Sequence, residues 1–234
     1  MPLSKRTGNM YDWVTHTWSC LQGQCPHECS YCYVKNGHWT KDNPAYKGEP
    51  RLEPNFDKVK LGTGKVIFVA HTNDLFAQEV PPEAVHAVLS KCTENYRNRY
   101  IFQTKDPENA WKYKDEIPPT STIGTTIETD SFTLIGQHSK APNSVSRSFG
   151  IGLFRNTGLM TFLTIEPIMK FNLGSLLFDI ENARPSWVNI GADSKNCNLP
   201  EPTWEEVQDL IKGIRDLGIE IREKSNLDRL RRDA

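Results

Sequence analysis

Residues 65–105 read KVIFVAHTNDLFAQEVPPEAVHAVLSKCTENYRNRYIFQTK, and this stretch predicts one strand–helix–strand unit. Residues 65–72 are a continuous apolar run rich in β-branched side chains, as in a strand buried on both faces of a parallel sheet. Residues 81–96 begin with two prolines and predict a helix, and residues 99–105 predict the next strand. Because such crossovers are right-handed, we expect the two strands to be parallel neighbours.

The same alternation continues on both sides of this unit. Further strands are predicted at residues 11–19, 121–129, 160–168, 186–193 and 219–227, and further helices at residues 107–117, 141–157, 173–183 and 203–217. Thr203 and Glu206 form a predicted capping box, and Gly218 lies where a C-terminal cap belongs. About seven strand–helix units favour an α/β fold of the partial (β/α)6-7 TIM-like barrel type. No linker or repeat interrupts residues 1–234, so we expect one domain that ends with a helix and a last strand in residues 203–234.

The composition indicates a folded protein without a global excess of basic residues. The chain has 234 residues, a net charge of −1 and 37% hydrophobic residues. This charge excludes nucleic-acid binding through the charge of the whole chain, although a local basic patch is compatible with it. The N-terminus has no signal-peptide pattern, and no stretch approaches the roughly 18 apolar residues of a membrane span. We therefore expect a cytoplasmic protein that binds no membrane.

Residues 35–60 are polar, interrupted by prolines and glycines, and predict a long loop or lid. Its aromatic residues Trp39 and Tyr46 and its lysines Lys41 and Lys47 have the chemistry to stack on a base and to contact phosphate. An ordinary solvated loop with two anchoring aromatics explains the same residues equally well.

Polar side chains stand at the ends of the predicted strands. They are Asn73, Asp74, Lys105, Thr126, Glu128, Glu166 and Asp193. Because active sites of parallel barrels lie at the carboxyl ends of the strands, these side chains are expected to line one pocket. The alternative is that loops begin with polar residues and that helix N-caps favour Asp, Asn and Thr. Glu128 and Glu166 are the stronger candidates, because each sits inside an otherwise apolar strand, where an unpaired charge is costly.

Three cysteines lie within the eight residues CPHECSYC at positions 25–32. Thiolates are soft ligands that bind zinc or iron–sulfur clusters. A structural zinc site has four ligands, so His27 or Cys20 would have to complete it. Three thiolates on one loop also fit a four-iron cluster with one open iron, whereas redox clusters are otherwise held by four cysteines.

The spacing C-x3-C-x2-C formed by Cys25, Cys29 and Cys32, with Tyr31 before the last cysteine, resembles the signature of the radical S-adenosylmethionine (SAM) superfamily. The strand–helix alternation also fits that family's partial barrel, over roughly residues 10–225. The resemblance implies an enzyme with a [4Fe-4S] cluster on the three cysteines and SAM on the open iron. Reductive cleavage of SAM would then produce a 5′-deoxyadenosyl radical that abstracts hydrogen from a substrate. An electron donor such as flavodoxin or ferredoxin is also implied.

The segments CPHECSYCYV, HTNDLF and QTKDP resemble more narrowly the spore photoproduct lyase branch and its uncharacterised phage-associated relatives. Together with the strand-end pattern, this resemblance implies that the cofactor-binding residues are Tyr31, Tyr33, Asn73, Asp74, Lys105, Thr126 and Glu128. Lys105 matches a lysine that contacts SAM in that branch. Candidate catalytic or substrate-contacting residues are Glu166, Asp193 and Cys197. Cys197 is a possible hydrogen donor, but its place along the chain differs from that of the branch's donor, and a free thiol on a polar loop is the simpler interpretation.

The sequence is compatible with more than one substrate class. The narrower resemblance favours a nucleobase in DNA, RNA or a nucleotide. Many members of the superfamily act instead on a peptide or protein side chain. A zinc-binding interaction module without catalysis is the third alternative, and it predicts a colourless protein with one zinc per chain.

Cys29→Ala should abolish cluster assembly, because it removes one of the three protein ligands. Iron and acid-labile sulfide are measured after anaerobic reconstitution. Cys197→Ala is the matched control and should leave SAM cleavage intact. Unchanged iron content in Cys29→Ala would contradict the assignment of the cluster to this loop.

Overall fold

A computed structural model of the protein describes residues 3–232. Its strands are β1 (Leu3–Lys5), β2 (His16–Trp18), β3 (Leu21–Gln22), β4 (Arg51–Leu52), β5 (Val66–Val69), β6 (Arg99–Gln103), β7 (Thr122–Thr126), β8 (Met160–Ile165), β9 (Trp187–Ile190) and β10 (Glu220–Glu223). Its α-helices are α1 (Pro82–Glu94), α2 (Pro107–Trp111), α3 (Phe132–His138), α4 (Ser144–Leu153), α5 (Leu173–Ala183), α6 (Trp204–Asp216) and α7 (Asp228–Arg232). Short 3₁₀ turns lie at Pro44–Tyr46, Phe56–Lys58, Phe154–Asn156 and Ser225–Leu227.

Eight strands form one sheet in the order β1-β2-β5-β6-β7-β8-β9-β10. From β2 to β10 every pair of neighbours is parallel, and β1 runs antiparallel along the outer edge of β2. Each crossover therefore adds the next strand on the same side, as in a barrel, whereas a doubly wound sheet reverses its order. The predicted α/β fold with a partial barrel is confirmed, and the sheet ends at β1 and β10. The short strands β3 and β4 form a separate antiparallel pair.

Several predicted elements are confirmed with shorter bounds, and others are wrong. The capping box of Thr203 and Glu206 is present, and Gly218 has the left-handed backbone of a C-terminal cap, with φ +74°. Residues 11–15 are not part of a strand, residues 112–117 are not helical, and the strand predicted at 219–227 ends at Glu223. The helix predicted at 141–157 begins at Ser144 and ends in a 3₁₀ turn. The short elements β1, β3, β4, α3 and α7 were not predicted, and β4 and two 3₁₀ turns lie within the predicted loop 35–60.

Residues 10–14 fill the face of the sheet that is opposite the helices. Tyr11 and Val14 are buried there against apolar residues of four strands, namely Phe68, Ile101, Phe162 and Trp187. The Tyr11 hydroxyl lies 2.7 Å from Gln103 Oε1 and 2.6 Å from Thr164 Oγ1. The polar end of the ring is therefore satisfied where burial would otherwise be costly. The interior of the partial barrel is thus packed by a segment that precedes its first parallel strand.

The other face of the sheet packs against the helices and holds the larger apolar core. Cys92 of α1 is completely buried in this core, as expected for a cysteine in the middle of a helix. No helix among residues 3–232 combines the length and the apolar composition needed to cross a membrane.

Gly124→Ala should destabilise the fold by about 1–3 kcal/mol, because an added Cβ would overpack the barrel interior. The methyl group would lie 2.4 Å from ring atoms of Phe162, which is itself stacked on Trp187. Gly136→Ala on α3 is the control, since nothing lies within 4 Å of its added Cβ. Urea unfolding followed by circular dichroism measures both variants. Equal free energies of unfolding for the two variants would contradict the close packing at Gly124.

Candidate functional site

The cysteine loop, residues 25–32, lies against the C-terminal end of α3. Ser30 N donates to His138 O and Lys140 N donates to His27 O, both at 2.8 Å. The Cys29 thiol is buried, and its Sγ lies 3.2 Å from Ser139 Oγ. Helix α3, which the sequence did not predict, therefore contacts the predicted cysteine motif and fixes its position.

The three thiols of the loop have the donor chemistry of an iron–sulfur site. All six cysteines of the chain are free, and Cys25 and Cys32 are half-buried. Burial, followed by the Asp74 carboxylate, raises the pKa of the Cys25 thiol, and burial also raises the pKa of Cys32. Ligation requires the thiolate, so cluster assembly would release these protons.

Within residues 3–232, no three His, Cys, Asp or Glu side chains are arranged around a single metal position. A four-iron cluster does not require such convergence, because each thiolate binds a different iron. The residues present therefore fit the cluster by donor type, number and placement on one loop.

Asp74 ties the cysteine loop to the carboxyl ends of two strands. Its Oδ2 accepts hydrogen bonds from His27 Nε2 at 2.7 Å, from Thr104 Oγ1 at 3.0 Å and from Lys105 N at 2.7 Å. Its Oδ1 accepts from Phe76 N at 3.0 Å. Burial alone would raise the pKa of Asp74, but the hydrogen bond and the charge of His27 lead the contacts that hold this pKa below its usual value. A buried carboxylate thus determines where the loop sits on the sheet.

Glu128 forms a second buried centre beside the loop. Its Oε1 accepts a hydrogen bond from the Tyr31 hydroxyl at 2.6 Å and forms an ion pair with Lys105 Nζ. Its Oε2 pairs with Arg147 Nη1 at 2.7 Å, and the same nitrogen donates to Thr126 O at 2.9 Å. Burial opposes ionisation, but Lys105 and Arg147 lower the pKa of Glu128 to about 2. Two cations therefore keep this carboxylate charged at neutral pH.

Arg147 is completely buried, and its Nη2 has no hydrogen-bond partner in the part of the chain that the structure describes. Lys105 keeps 16% of its side chain exposed, so it is the cation of this centre that faces the open edge. Its ammonium also lies 5.4 Å from the centre of the Tyr31 ring. The two cations thus differ in role, since Arg147 is enclosed by protein and Lys105 is accessible.

The other predicted cofactor-binding residues make contacts within the protein. Asn73 donates to Gly23 O at 3.2 Å and accepts from Asp74 N at 2.9 Å. Thr126 accepts from Gln103 Nε2 at 2.9 Å, and the Tyr33 hydroxyl donates to His71 O. These bonds place the three residues around the loop and β5–β7, and their predicted cofactor contacts stay predictions.

Glu166 belongs to a separate polar group at the ends of β8 and β10. Its Oε1 accepts from Asn9 Nδ2 and from Asn226 Nδ2, each at 2.7 Å, and its Oε2 pairs with Lys224 Nζ at 2.6 Å. Asn9, Lys224 and Asn226 also line an open cavity of about 740 Å³. The hydrogen bonds of the predicted strand-end residues therefore fall into more than one group, and their convergence on a single pocket stays a prediction.

Asp193 and Cys197 lie on the loop that follows β9. The Asp193 carboxylate accepts backbone hydrogen bonds from Lys195 and Cys197, which shapes this loop. Cys197 Sγ lies 3.8 Å from Asn36 Nδ2, and Asn36 in turn donates to Ser30 O at 2.7 Å. The Cys197 thiol is thus one side chain away from the cysteine loop, although Asp193 itself acts as a loop-forming residue.

The predicted lid contains an aromatic pair. The rings of Trp39 and Tyr46 meet edge to face, with centroids 5.1 Å apart, and Trp39 remains 52% exposed. This geometry is compatible with a surface on which a base stacks. It is equally compatible with an aromatic pair that only anchors a solvated loop.

Arg147, Lys224, Asn226 and Asn9 were missed from the sequence, and His27 was considered only as a zinc ligand. Arg147 lies in a serine-rich helix, where nothing local distinguishes it from a surface arginine. The position of His27 between two candidate ligand cysteines could have indicated its role. A side chain at such a position is commonly oriented by a hydrogen-bond partner, here Asp74.

Residues 9–207 match the protein family described as "Protein of unknown function (DUF5131)". The chain belongs to this family. No curated protein matches this DUF5131 chain.

Solved structures share the fold of this DUF5131 protein at low sequence identity. A mutant of spore photoproduct lyase aligns with a TM-score of 0.67 and 12% identity, over 94% of this chain and 81% of that one. A mutant of the same lyase with bound AdoMet and dinucleoside spore photoproduct aligns with a TM-score of 0.58 and 13% identity, over 90% and 64% of the two chains. SuiB from Streptococcus suis, bound to its precursor peptide SuiA, aligns with a TM-score of 0.60 and 8% identity, over 89% and 48%. The fold therefore resembles that of radical SAM enzymes.

Glu128→Gln should remove part of the acid sensitivity of the fold. A pKa lowered from 4.5 to about 2 means that ionised Glu128 stabilises the fold above pH 4.5, and that this contribution is lost as the pH falls towards 2. The contribution is about 3 kcal/mol near neutral pH. The difference in free energy of unfolding between wild type and Glu128→Gln should therefore shrink from about pH 6 to about pH 3.

Urea denaturation over this pH series measures the effect. Glu83→Gln, an exposed carboxylate on α1, is the control and should follow the wild-type curve. A constant offset between wild type and Glu128→Gln at every pH would show that Glu128 is not held ionised by Lys105 and Arg147.

Proposed function

We propose that this protein is a radical SAM enzyme whose cluster is held by Cys25, Cys29 and Cys32. The observation that carries the proposal is the place of the C-x3-C-x2-C loop in the fold. The loop follows the first parallel strand of a partial barrel and contacts residues at the carboxyl ends of β5, β6 and β7. In parallel barrels this edge carries the chemistry.

When bound, a [4Fe-4S] cluster with an open iron would supply the electron that cleaves SAM into methionine and a 5′-deoxyadenosyl radical, which would abstract hydrogen from the substrate. The protein's part is to bind, to orient and to exclude water. His27 and Asp74 position the loop from one side, and Tyr31 with Glu128 positions it from the other. An electron donor such as flavodoxin or ferredoxin is required by this chemistry.

Lys105 is suited to bind the carboxylate of SAM. Its ammonium is partly exposed and shares Glu128 with the buried Arg147. If Lys105 turns towards an anionic ligand, Arg147 still neutralises Glu128, so no buried carboxylate is left unpaired. Moving Lys105 from Glu128 to the ligand therefore costs less free energy than breaking an ion pair that has no second cation.

A nucleobase within a nucleotide or nucleic acid is the substrate class that we favour. One of the structures with this fold holds AdoMet together with a dinucleoside photoproduct, and the exposed Trp39 ring offers a surface on which a base could stack. The cavity of about 740 Å³ beside Lys224 and Asn226 is of the size usual for small-ligand sites. A peptide substrate is the second candidate, because SuiB shares the fold and was solved with its precursor peptide.

Electron paramagnetic resonance of the anaerobically reconstituted, dithionite-reduced protein, with and without SAM, tests the class. We expect a reduced four-iron signal that shifts when SAM is added. A colourless protein that contains zinc and no iron signal would refute the proposal and favour the structural zinc module.

Lys105→Ala should keep the reduced cluster signal but require at least about tenfold more SAM for the same spectral shift, because a charge-assisted contact is lost. Lys112→Ala, an exposed lysine that follows α2, is the control. An unchanged SAM titration in Lys105→Ala would remove Lys105 from the SAM site and leave the cluster assignment intact.

A further inference from the structure

A second recess, of about 610 Å³, lies at the β1–β2 edge of the sheet. It is bordered by Lys5 of β1, His16 of β2, the segment that carries Lys58 and Lys60, and Lys65, which precedes β5. His16 is the first residue of β2 and Lys65 stands just before β5, so the recess reaches the amino ends of these strands. The cysteine loop follows the carboxyl end of β2, and the recess is therefore distinct from the candidate active site.

Most lysines of this recess make no hydrogen bond or ion pair through their ammonium groups with the described residues. The ammonium groups of Lys5, Lys58 and Lys60 form no hydrogen bond or ion pair with the described residues 3–232, whereas Lys65 Nζ donates to Leu61 O at 2.8 Å. Lysine side chains that line a shared concave surface without acidic partners repel one another. Such an arrangement is stabilised by an anionic ligand.

One carboxylate, that of Glu53, belongs to the described lining, and it is used within the protein. Its side chain is buried and accepts hydrogen bonds from Gln22 Nε2 at 3.0 Å and from Asn55 Nδ2 at 3.4 Å. Burial and the positive charges of Lys65 and Lys5 lower the pKa of His16, so the imidazole adds no charge at neutral pH. Four lysines against one carboxylate give the described lining an excess of positive charge, although the whole chain has a net charge of −1.

We propose that this recess binds the sugar–phosphate backbone of a polynucleotide. Lysine ammonium groups are compact, mobile charges that contact phosphates without fixed geometry. The described lining contains no Phe, Tyr or Trp on which a base could stack, so the contact would not depend on the nucleotide sequence. A backbone contact here would hold a long substrate on the protein while one nucleotide reaches the active site at the other edge.

A membrane surface fits the recess less well. Interfacial binding combines basic residues with exposed apolar anchors. The large exposed apolar side chains of the described chain lie elsewhere, and the apolar residues of the recess are Leu3 and Val59. The choice of a polynucleotide over another polyanion rests on the proposed function. The lysines that line the recess are observed independently of that function.

The experiment is fluorescence anisotropy of a labelled DNA duplex of about 30 base pairs with the full-length reconstituted protein, titrated from about 50 mM to about 200 mM salt. If the four lysines each contact a phosphate, wild-type affinity should fall about 100-fold over this range. Lys58→Ala/Lys60→Ala should reduce the slope of log affinity against log salt by about 1.8. Lys112→Ala/Lys212→Ala removes two exposed lysines elsewhere and should match wild type.

Circular dichroism must show the same melting temperature for both double variants, and Lys5→Ala/Lys58→Ala replaces the first variant if it does not fold. An unaltered affinity and salt slope in the folded Lys58→Ala/Lys60→Ala protein would overturn the proposal, as would the absence of any binding by wild type. Tighter binding to vesicles that contain anionic lipid than to the duplex would overturn the choice of a polynucleotide. SAM cleavage is measured separately in each variant, so a failure of the radical SAM assignment is distinguished from a failure of this recess.

Discussion

The buried carboxylate of Glu128 is the constraint around which the candidate site is organised. A carboxylate that is 1% exposed remains ionised only where cations and hydrogen-bond donors surround it. Arg147 from α4, Lys105 from the end of β6 and Tyr31 from the cysteine loop satisfy this requirement together. Three segments that are distant in sequence are thereby brought to one point of the carboxyl edge. Asp74 does the same for His27, so two carboxylates hold the loop from two directions.

The barrel could be predicted from the sequence because buried parallel strands appear as short apolar runs. The helices between them are marked by the regular spacing of their apolar residues. The stretch 65–105 contains this signal in full, and the capping box of α6 marked a helix end to within one residue. The elements that were missed have physical reasons. Helix α3 has seven residues, too few for a clear period, and β3 and β4 have two residues each. Residues 11–15 alternate like a strand, but their aromatic side chains pack inside the barrel instead of pairing at its edge.

The motif of the candidate site could be predicted, whereas the partners of its residues could not. Local spacing identified Cys25, Cys29 and Cys32, and the polar strand ends identified Asp74 and Glu128. Arg147, 19 residues after Glu128 in the chain, forms an ion pair with Glu128 from helix α4. No local sequence pattern predicts this contact. Sequence reasoning also assumed that strand-end residues share one pocket. The structure pairs Glu166 with Lys224, whereas Glu128 and Asp74 bind residues of the cysteine loop.

The packing of residues 10–14 inside the barrel has a consequence for how this fold can diversify. Tyr11 and Trp13 form part of the floor beneath the carboxyl edge, and the adjoining residues Asn9 and Met10 form one wall of the open cavity. The depth of that cavity is therefore set by a segment that lies outside the repeating strand–helix units. Changes in this segment can alter the size and shape of this cavity while every parallel strand keeps its register. Variation in the shape of this cavity can thus accumulate ahead of the first barrel strand, apart from the cysteine loop and the carboxylates that position it.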